Sequence, residues 1–283
     1  MPTLAETLAA TRGRLPMSEA RLLLAQVLAR PIVWLLAHDD DVLTGAARED
    51  FLALVARREA GEPLAYLLGR REFHGREFTV SPAVLIPRPE TELLVERSLA
   101  GLATGQKVSA GNTPKILDLG TGSGCIALTL ALECPRAWVT AVDASPQAIA
   151  VAQDNARRLG ANVRFLLSDW FAALEGERFD LVVGNPPYIA AEDPHLAQGD
   201  LRHEPRSALA SGEDGLAAIR RIIEEAPAHL EPGGYLWLEH GFDQAPAVRR
   251  LLETAGFVAI EQHPDLAGIL RVSGGRSDPG STE

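Results

Sequence analysis

The sequence predicts an α/β fold in which a mostly parallel sheet carries helices on both faces and is preceded by a small helical bundle. From Lys115 onward, short apolar runs of strand length alternate with amphipathic helical patterns. The connections between them are short, which favours parallel strands in one sheet. Residues 1–70 show only helical periodicity. Hydrophobic residues make up 46% of the 283 positions, so a sizeable core can form.

The bundle over residues 1–70 is predicted from apolar residues at helical spacing, such as Leu22, Leu23, Val27 and Leu28. Pro63 stands where a further helix would begin, a position that tolerates proline. A separate module of this kind is either structural support or a recognition domain. We favour recognition of a partner.

Residues 71–89 are interpreted as a β-hairpin and a linker, because Phe73 and Phe78 flank His74-Gly75. Pro87 and Pro89 then stiffen the loop over residues 86–92, which is either a lid or an ordinary interdomain linker. The predicted sheet domain covers residues 90–273, with a surface loop at 103–113. The Gly- and Ser-rich segment 274–283 is predicted to be a disordered tail.

Within the sheet domain, each predicted element follows from its hydrophobic pattern. Residues 232–234, Pro-Gly-Gly, are predicted to turn into the fifth strand. The predicted strands cover residues 115–119, 138–142, 163–167, 179–183, 235–239 and 257–262, with 270–272 as a further candidate. The predicted helices cover residues 90–102, 125–132, 146–159, 216–229 and 245–254.

Composition and charge disfavour several classes of protein. The net charge is −11, of which residues 1–70 carry −1 and the rest −10, whereas nucleic-acid binding normally needs a basic face. Cys125 and Cys134 form neither a disulfide scaffold nor a metal-binding spacing, so we predict reduced thiols and no metal site. The chain shows no signal peptide and no membrane-spanning apolar run, which predicts a cytoplasmic protein.

The first strand of the sheet domain ends in a glycine-rich turn with the pattern G-x-G-x-G. A dinucleotide fingerprint requires G-x-G-x-x-G, but the sixth position counted from Gly120 is Cys125. A P-loop is excluded because no Gly-Lys-Ser/Thr follows. The turn better fits a nucleoside that carries a short amino-acid tail. The predicted contacts are Gly120, Thr121, Gly122, Ser123 and Gly124.

Two further strand ends carry residues that suit a nucleoside. Asp143 closes the second strand, where a carboxylate can accept hydrogen bonds from both ribose hydroxyls. Asp169 and Trp170 close the third strand; the acid could accept from an adenine amino group while the indole lies against the base. Because ligands bind at the carboxyl ends of such strands, we expect these residues to share one site.

A second kind of site is predicted after the apolar strand 179–183. Gly184 is followed by Asn185, Pro186, Pro187 and Tyr188. The prolines make a stiff turn with free carbonyls, and the asparagine adds a side-chain oxygen. These acceptors beside a flat ring suit a planar NH2 group. The alternative is an ordinary turn at the end of a strand.

Together these strand ends resemble those of S-adenosylmethionine-dependent methyltransferases that act on an exocyclic or amide nitrogen. With the helical domain, the hairpin and the loop over residues 86–92, residues 1–272 are similar to the peptide chain release factor glutamine methyltransferase family. The resemblance implies a seven-stranded Rossmann-like methyltransferase sheet, with residues 270–272 as its last strand. It also implies S-adenosyl-L-methionine as the cofactor, with Asn185 among the residues that contact it.

The resemblance further implies N5-methylation of the glutamine in the Gly-Gly-Gln motif of a translation release factor. Asn185 Oδ1 and the Pro186 carbonyl would then accept the two amide N–H bonds, while Tyr188 packs on the planar group. No histidine base is required, so His195 and His203 are interpreted as solvated loop residues. We expect the polar insertion 192–215, with Arg202, Glu204 and Arg206, to contact the release factor.

Four alternatives stay open at this point. The same chemistry could act on a glutamine of a ribosomal protein. Methylation of adenine or guanine amino groups in nucleic acid is disfavoured by the charge of −10. An NAD-dependent oxidoreductase is disfavoured by Cys125 in the place of the third glycine. The last alternative is a nucleotide-binding protein without catalytic activity.

Overall fold

The computed structural model describes residues 1–103 and 113–278. The chain forms two compact units, Met1–Arg71 and Glu72–Glu283. Most of the surface loop predicted for 103–113 lies outside the described residues, as does the end of the predicted tail, residues 279–283. None of the described helices is long and apolar enough to cross a membrane.

The first unit is helical. Its helices are α1 (Leu4–Ala9), α2 (Met17–Leu28), α3 (Ile32–Ala37), α4 (Gly45–Glu59) and α5 (Leu64–Leu68). Thr3 caps α1 in a reciprocal arrangement: its hydroxyl accepts from the Glu6 N–H at 3.1 Å, and the Glu6 carboxylate accepts from the Thr3 N–H at 2.9 Å. The apolar faces of the helices meet in one core, with Leu23, Leu24 and Phe51 fully buried.

The second unit begins within a hairpin and continues into the alternating part of the chain. The hairpin strands are β1 (Arg70–Phe73) and β2 (Arg76–Thr79). The sheet strands are β3 (Lys115–Leu119), β4 (Trp138–Asp143), β5 (Arg164–Leu167), β6 (Phe179–Gly184), β7 (Leu230–Glu239), β8 (Val258–Pro264) and β9 (Leu270–Arg276). The helices are α6 (Glu92–Ala103), α7 (Cys125–Glu133), α8 (Pro146–Leu159), α9 (Ala217–His229) and α10 (Ala245–Thr254).

These strands form a seven-stranded sheet in the order β5-β4-β3-β6-β7-β9-β8. The strands from β5 to β7 run parallel, and β9 runs antiparallel to both of its neighbours. The path of the chain through this sheet begins at the central strand β3 and moves outward to β5. It then returns to β6, on the other side of β3. Ligands bind beside such a reversal in open α/β sheets. The predicted fold class is confirmed.

The two faces of the sheet carry separate cores because alternate strand residues point to opposite sides. In β6, Leu181 and Val183 pack on the face covered by α6, α7 and α8, whereas Val182 packs on the face covered by α9 and α10. The sheet is therefore buried on both faces, which explains the continuous apolar runs of its strands.

The predicted start of the tail at residue 274 is wrong, since β9 continues to Arg276. Gly274 pairs with Trp237 of β7, and a Cβ at this position would be 2.1 Å from the Leu236 carbonyl oxygen and 2.3 Å from the Trp237 ring. This glycine is needed for close packing within a strand and does not mark disorder.

The predicted turn at residues 232–234 is also corrected, because these residues lie within β7. The pairing of β6 with β7 shifts its register between Phe179 and Leu181. A Cβ on Gly234 would be 3.0 Å from the carbonyl oxygens of both Glu231 and Phe179. A bulge, rather than a turn, accommodates the extra residues here.

Candidate active site

A cavity of about 480 Å³ lies at the carboxyl ends of the strands, beside the reversal between β3 and β6. The glycine-rich turn, Asp143, Asp169, Trp170, Asn185 and Pro187 all contribute to its wall. Further wall residues come from two segments, 82–91 and 205–208. The structure therefore places most of the predicted cofactor residues around one cavity.

The glycine-rich turn depends on left-handed backbone at three positions, Gly120, Gly122 and Gly124, with φ angles of 69°, 54° and 84°. A Cβ on Gly124 would lie 3.1 Å from the Leu128 side chain and 3.2 Å from Ala152. The turn can thus approach α7 and α8 closely, and Gly120 and Gly122 present backbone without a side chain to the cavity.

The buried side chain of Asp118 stabilises this turn by hydrogen bonds. Its Oδ2 accepts from the Thr121 hydroxyl at 2.6 Å and from the Ala127 N–H at 3.2 Å. Burial raises the pKa of Asp118 to about 7, the nearby charge of Asp143 adds to the shift, and the two hydrogen bonds oppose it. The carboxyl therefore gains or loses its proton near neutral pH.

Asp143 lines the cavity while both of its oxygens hold backbone. Oδ2 accepts from the Gly122 N–H and Oδ1 from the Ser145 N–H, each at 2.9 Å. Because each carboxylate oxygen can accept more than one hydrogen bond, the group keeps capacity for ligand hydroxyls. The predicted ribose acceptor thus also orients the glycine-rich turn.

Trp170 and Asp169 occupy the wall after β5. Trp170 has a φ of 50°, and a Cβ on Gly120 would be 3.3 Å from its ring. The indole therefore lies directly against the glycine-rich turn. Asp169 Oδ2 pairs with Arg221 Nη1 of α9 at 2.8 Å. The carboxylate predicted to accept from a base is thus shared with a cation that the sequence did not indicate.

Asn185 and its successors occupy the end of β6. The Asn185 Nδ2 donates to Thr91 Oγ1 at 3.1 Å, so the side-chain oxygen is the end of the amide left for a ligand. Pro187 lines the cavity, whereas Pro186 is buried. Tyr188 lies outside the wall, and its hydroxyl donates to Glu239 Oε1 at 3.3 Å.

Several residues that shape the site belong to none of the predicted site motifs. Asn155 of α8 is fully buried; its Nδ2 donates to the Ser123 carbonyl at 2.9 Å and to the Thr79 carbonyl at 3.0 Å. It thereby joins the glycine-rich turn to the hairpin. Its signal was available, because a lone asparagine on an apolar helix face needs a buried partner. Thr91 and Glu239 gave no comparable signal.

Glu204 joins the insertion 192–215 to the loop before α6. Its side chain is fully buried and accepts from the Ile86 N–H at 2.9 Å, and it pairs with Arg88. The insertion also returns to the end of β6, where the Ile189 N–H donates to the Leu209 carbonyl at 2.9 Å. Of the three insertion residues predicted to contact a partner, Glu204 therefore has an internal role, and Arg206 Nη2 also donates to a carbonyl of this chain, that of Ala191, at 2.6 Å.

Two family models match the chain. The model described as "PrmC N-terminal domain" matches residues 3–69, and "Methyltransferase small domain" matches residues 104–212. A release factor glutamine methyltransferase from Bordetella pertussis is 56% identical over 274 residues, covering 96% of this chain and 99% of the relative. The chain belongs to the release factor glutamine methyltransferase family.

Other members of the family agree with this assignment. The Xylella fastidiosa (strain Temecula1) protein is 51% identical and covers 98% of each chain. The Salmonella typhimurium protein is 48% identical and covers 93% of each. The resemblance to this family, predicted from the motifs, is confirmed.

Solved structures show the same fold at low identity. The hMettl16 catalytic domain, in complex with a 3′UTR hairpin, matches with a TM-score of 0.55 and 15% identity, covering 81% of this chain and 83% of that one. The T. thermophilus 16S rRNA N2 methyltransferase RsmC, in complex with AdoMet and guanosine, matches at 0.51 and 24%, covering 74% and 49%. Both support the methyltransferase fold of this chain and nothing finer.

Proposed function

We propose that this family member transfers a methyl group from S-adenosyl-L-methionine to N5 of the glutamine in the Gly-Gly-Gln motif of a translation release factor. The relatives named for that activity are similar over nearly their whole length. The observation that carries the proposal is the orientation of the Asn185 side chain in the cavity wall. Its Nδ2 donates to Thr91, so its Oδ1 is left to bind the nitrogen that receives the methyl group.

The cavity residues fit the proposed cofactor. The glycine-rich turn offers backbone free of side chains, Asp143 has spare acceptor capacity for ribose hydroxyls, and Trp170 offers a flat face. The volume of about 480 Å³ lies within the usual range for small-ligand sites. S-adenosyl-L-methionine, when bound, would supply an electrophilic methyl group on a sulfonium; the methyl–sulfur bond breaks with its electron pair left on sulfur, so the leaving group is the thioether S-adenosylhomocysteine. We assign its binding to the wall residues named above, with Asn185 at their boundary.

The residues after β6 would bind and orient the acceptor amide. An amide nitrogen is a poor nucleophile because its lone pair is delocalised. Asn185 Oδ1 accepts one amide N–H and the Pro186 carbonyl the other, which aims the nitrogen and stabilises positive charge on it as the N–C bond forms. The nitrogen then releases one proton to solvent. Pro187 and Tyr188 keep this segment rigid.

One assay tests the substrate. The protein is incubated with radiolabelled S-adenosyl-L-methionine and, in parallel, with a release factor, the same factor with its motif glutamine replaced by alanine, ribosomal protein and ribosomal RNA. We expect label in the unaltered release factor only. Label found only in the nucleic acid or only in the ribosomal protein would contradict the proposal.

The proposed role of Asn185 predicts a separation of binding from transfer. Asn185→Ala should lower methyl transfer by about 10²–10³-fold, as expected for loss of one preorganised polar group. The dissociation constant for S-adenosylhomocysteine, measured by calorimetry, should change little. Asn162→Ala, at an exposed asparagine outside the cavity wall, serves as the control. Loss of cofactor affinity in Asn185→Ala would assign Asn185 to the cofactor instead.

A further inference from the structure

Behind Asn185 lies a buried set of polar side chains from three separate segments. Thr91 Oγ1 accepts from Asn185 Nδ2 at 3.1 Å, and the Tyr188 hydroxyl donates to Glu239 Oε1 at 3.3 Å. The Thr91 hydroxyl also stabilises the ionised Glu239 carboxyl, whose Oε2 is buried without a hydrogen-bond partner among the described residues. Thr91 and Glu239 are each 2% exposed, so solvent does not supply their partners. The four side chains therefore lie in one buried polar network, in which Oε2 of Glu239 still lacks a donor within the part of the chain that the structure describes.

The number of hydrogens available in this network determines which group donates and which accepts in each hydrogen bond. An ionised carboxylate only accepts, so the Tyr188 hydroxyl donates its single hydrogen to Glu239 Oε1, and Thr91 is the hydroxyl available to supply a hydrogen to the unpaired oxygen. Burial raises the pKa of Tyr188, so its hydroxyl keeps its hydrogen at neutral pH. Thr91 is left with lone pairs alone for its other neighbour. Asn185 must then present its NH2 group to Thr91, which turns its oxygen the other way.

We propose that Glu239 and Thr91 are positioning residues that fix the Asn185 amide with its oxygen toward the acceptor nitrogen. The inference rests on the proposed function of the site and extends it to two residues that do not belong to the Asn-Pro-Pro-Tyr motif. Thr91 lines the cavity, whereas Glu239 acts through Thr91.

The network predicts how the orientation depends on pH. Burial raises the pKa of Glu239 to about 7, and the hydrogen bonds from Thr91 and Tyr188 oppose the shift. A protonated Glu239 can donate to Thr91, which frees the threonine hydrogen for the asparagine oxygen and lets the amide turn. The orientation is therefore fixed above pH 7 and lost below it. The charged or titratable groups that face Glu239 are Glu90, Tyr188, Arg271 and, from α7, Cys125.

The first test compares threonine variants by steady-state kinetics. Thr91→Val keeps the shape but removes the hydroxyl, and should lower kcat at least about tenfold, with unchanged KM for the release factor. Thr91→Ser retains the hydroxyl and should stay within about threefold of the unaltered protein. The control is Thr129→Val, because Thr129 is also buried and its hydroxyl has no hydrogen-bond partner within residues 1–103 and 113–278.

A second test does not depend on activity. The side-chain ¹⁵N–¹H₂ signal of Asn185 is assigned in ligand-free protein as the one missing from Asn185→Asp. We expect this signal to move with a midpoint near pH 7, where Glu239 titrates. Thr91→Val and Glu239→Gln should each abolish that titration, and Thr91→Ser should retain it.

The two tests separate failure of this inference from failure of the proposed function. If the unaltered protein does not methylate a release factor but the Asn185 signal titrates as described, the function is wrong and the network stands. If the protein is active while Thr91→Val lowers kcat by less than about tenfold, or if the titration of the Asn185 signal is the same in Thr91→Val, the inference is overturned. A parallel loss of S-adenosylhomocysteine affinity in Thr91→Val would likewise overturn it, because the role would then be structural.

Discussion

Asn185 takes its orientation from Thr91, which lies 94 residues earlier in the chain. The motif around Asn185 supplies the amide, but an amide has two ends of nearly equal shape and opposite hydrogen-bonding character. Which end of the Asn185 amide faces the cavity depends on its hydrogen-bond partner on the buried side, which is Thr91. At the scale of the residue, chemistry is therefore decided jointly by the motif and by its buried neighbours.

Asp118 is a second residue whose behaviour depends on burial. Its pKa in the folded state, about 7, exceeds the ordinary value of 3.8. At pH values between the two, the folded state therefore keeps a proton that the unfolded state has released. Its contribution to stability is therefore present below pH 4 and is lost as pH rises toward 7. Burial raises the pKa of Glu239 from its ordinary value of 4.5 to about 7, so its contribution to stability is likewise lost as pH rises.

Asp118→Asn should accordingly reduce the loss of stability between pH 5 and pH 8 by about 2–3 kcal/mol. The reason is that asparagine keeps an oxygen acceptor for Thr121 and Ala127 but carries no charge to bury. The measurement is the free energy of unfolding from urea denaturation of ligand-free protein at both pH values. An unchanged pH dependence would show that Asp118 is ionised throughout this range.

At the scale of the element, the end of β6 is held in place by segments from elsewhere in the second unit. The Tyr188 carbonyl accepts from Gln244 Nε2 at 2.9 Å, and Ile189 exchanges backbone hydrogen bonds with Leu209 and Ser211 at 2.9 and 2.8 Å. A Cβ on Gly215 would be only 2.3 Å from the Tyr188 carbonyl oxygen. The turn before α9 therefore limits where the residues after β6 can lie.

Gly215→Ala should displace this segment and lower kcat at least about tenfold, because small misplacements of positioning groups are costly. Gly176→Ala is the matched control: its φ is 75° against 76° at Gly215, but nothing lies within 4 Å of the added Cβ. Both variants carry the same backbone strain, so the difference between their methylation rates isolates the clash with Tyr188. Equal rates would contradict the proposed restraint.

At the scale of the whole molecule, charge separates protein substrates from nucleic acid. The net charge of −11 opposes binding that depends on phosphate contacts. We predict no retarded band for a ribosomal RNA fragment at about 10 μM protein and about 150 mM NaCl in a mobility-shift assay, since non-specific binders reach about 10⁻⁴–10⁻⁶ M. Binding near 1 μM that weakens steeply with salt would reveal a local basic face and revive the nucleic-acid alternative.

Much of the sheet could be predicted from sequence alone because its strands are buried on both faces and read as uninterrupted apolar runs. The bounds predicted for β3, α8 and α10 are those observed, and the glycine-rich turn and Asn185 follow their strands as expected. Local pattern suffices there, because burial, periodicity and turn chemistry all lie within a few neighbouring residues.

Other features follow from contacts between residues that lie far apart in the chain. The apolar pattern carried no sign of the β7 bulge or of the need for Gly274 beside Trp237, since both depend on a neighbouring strand. The order of residues along the chain sets which chemical groups follow each strand. The tertiary structure alone decided that Arg221 pairs with Asp169 and that Thr91 faces Asn185. Hydrogen bonds and ion pairs need partners within about 3 Å, and only the folded chain brings these residues so close.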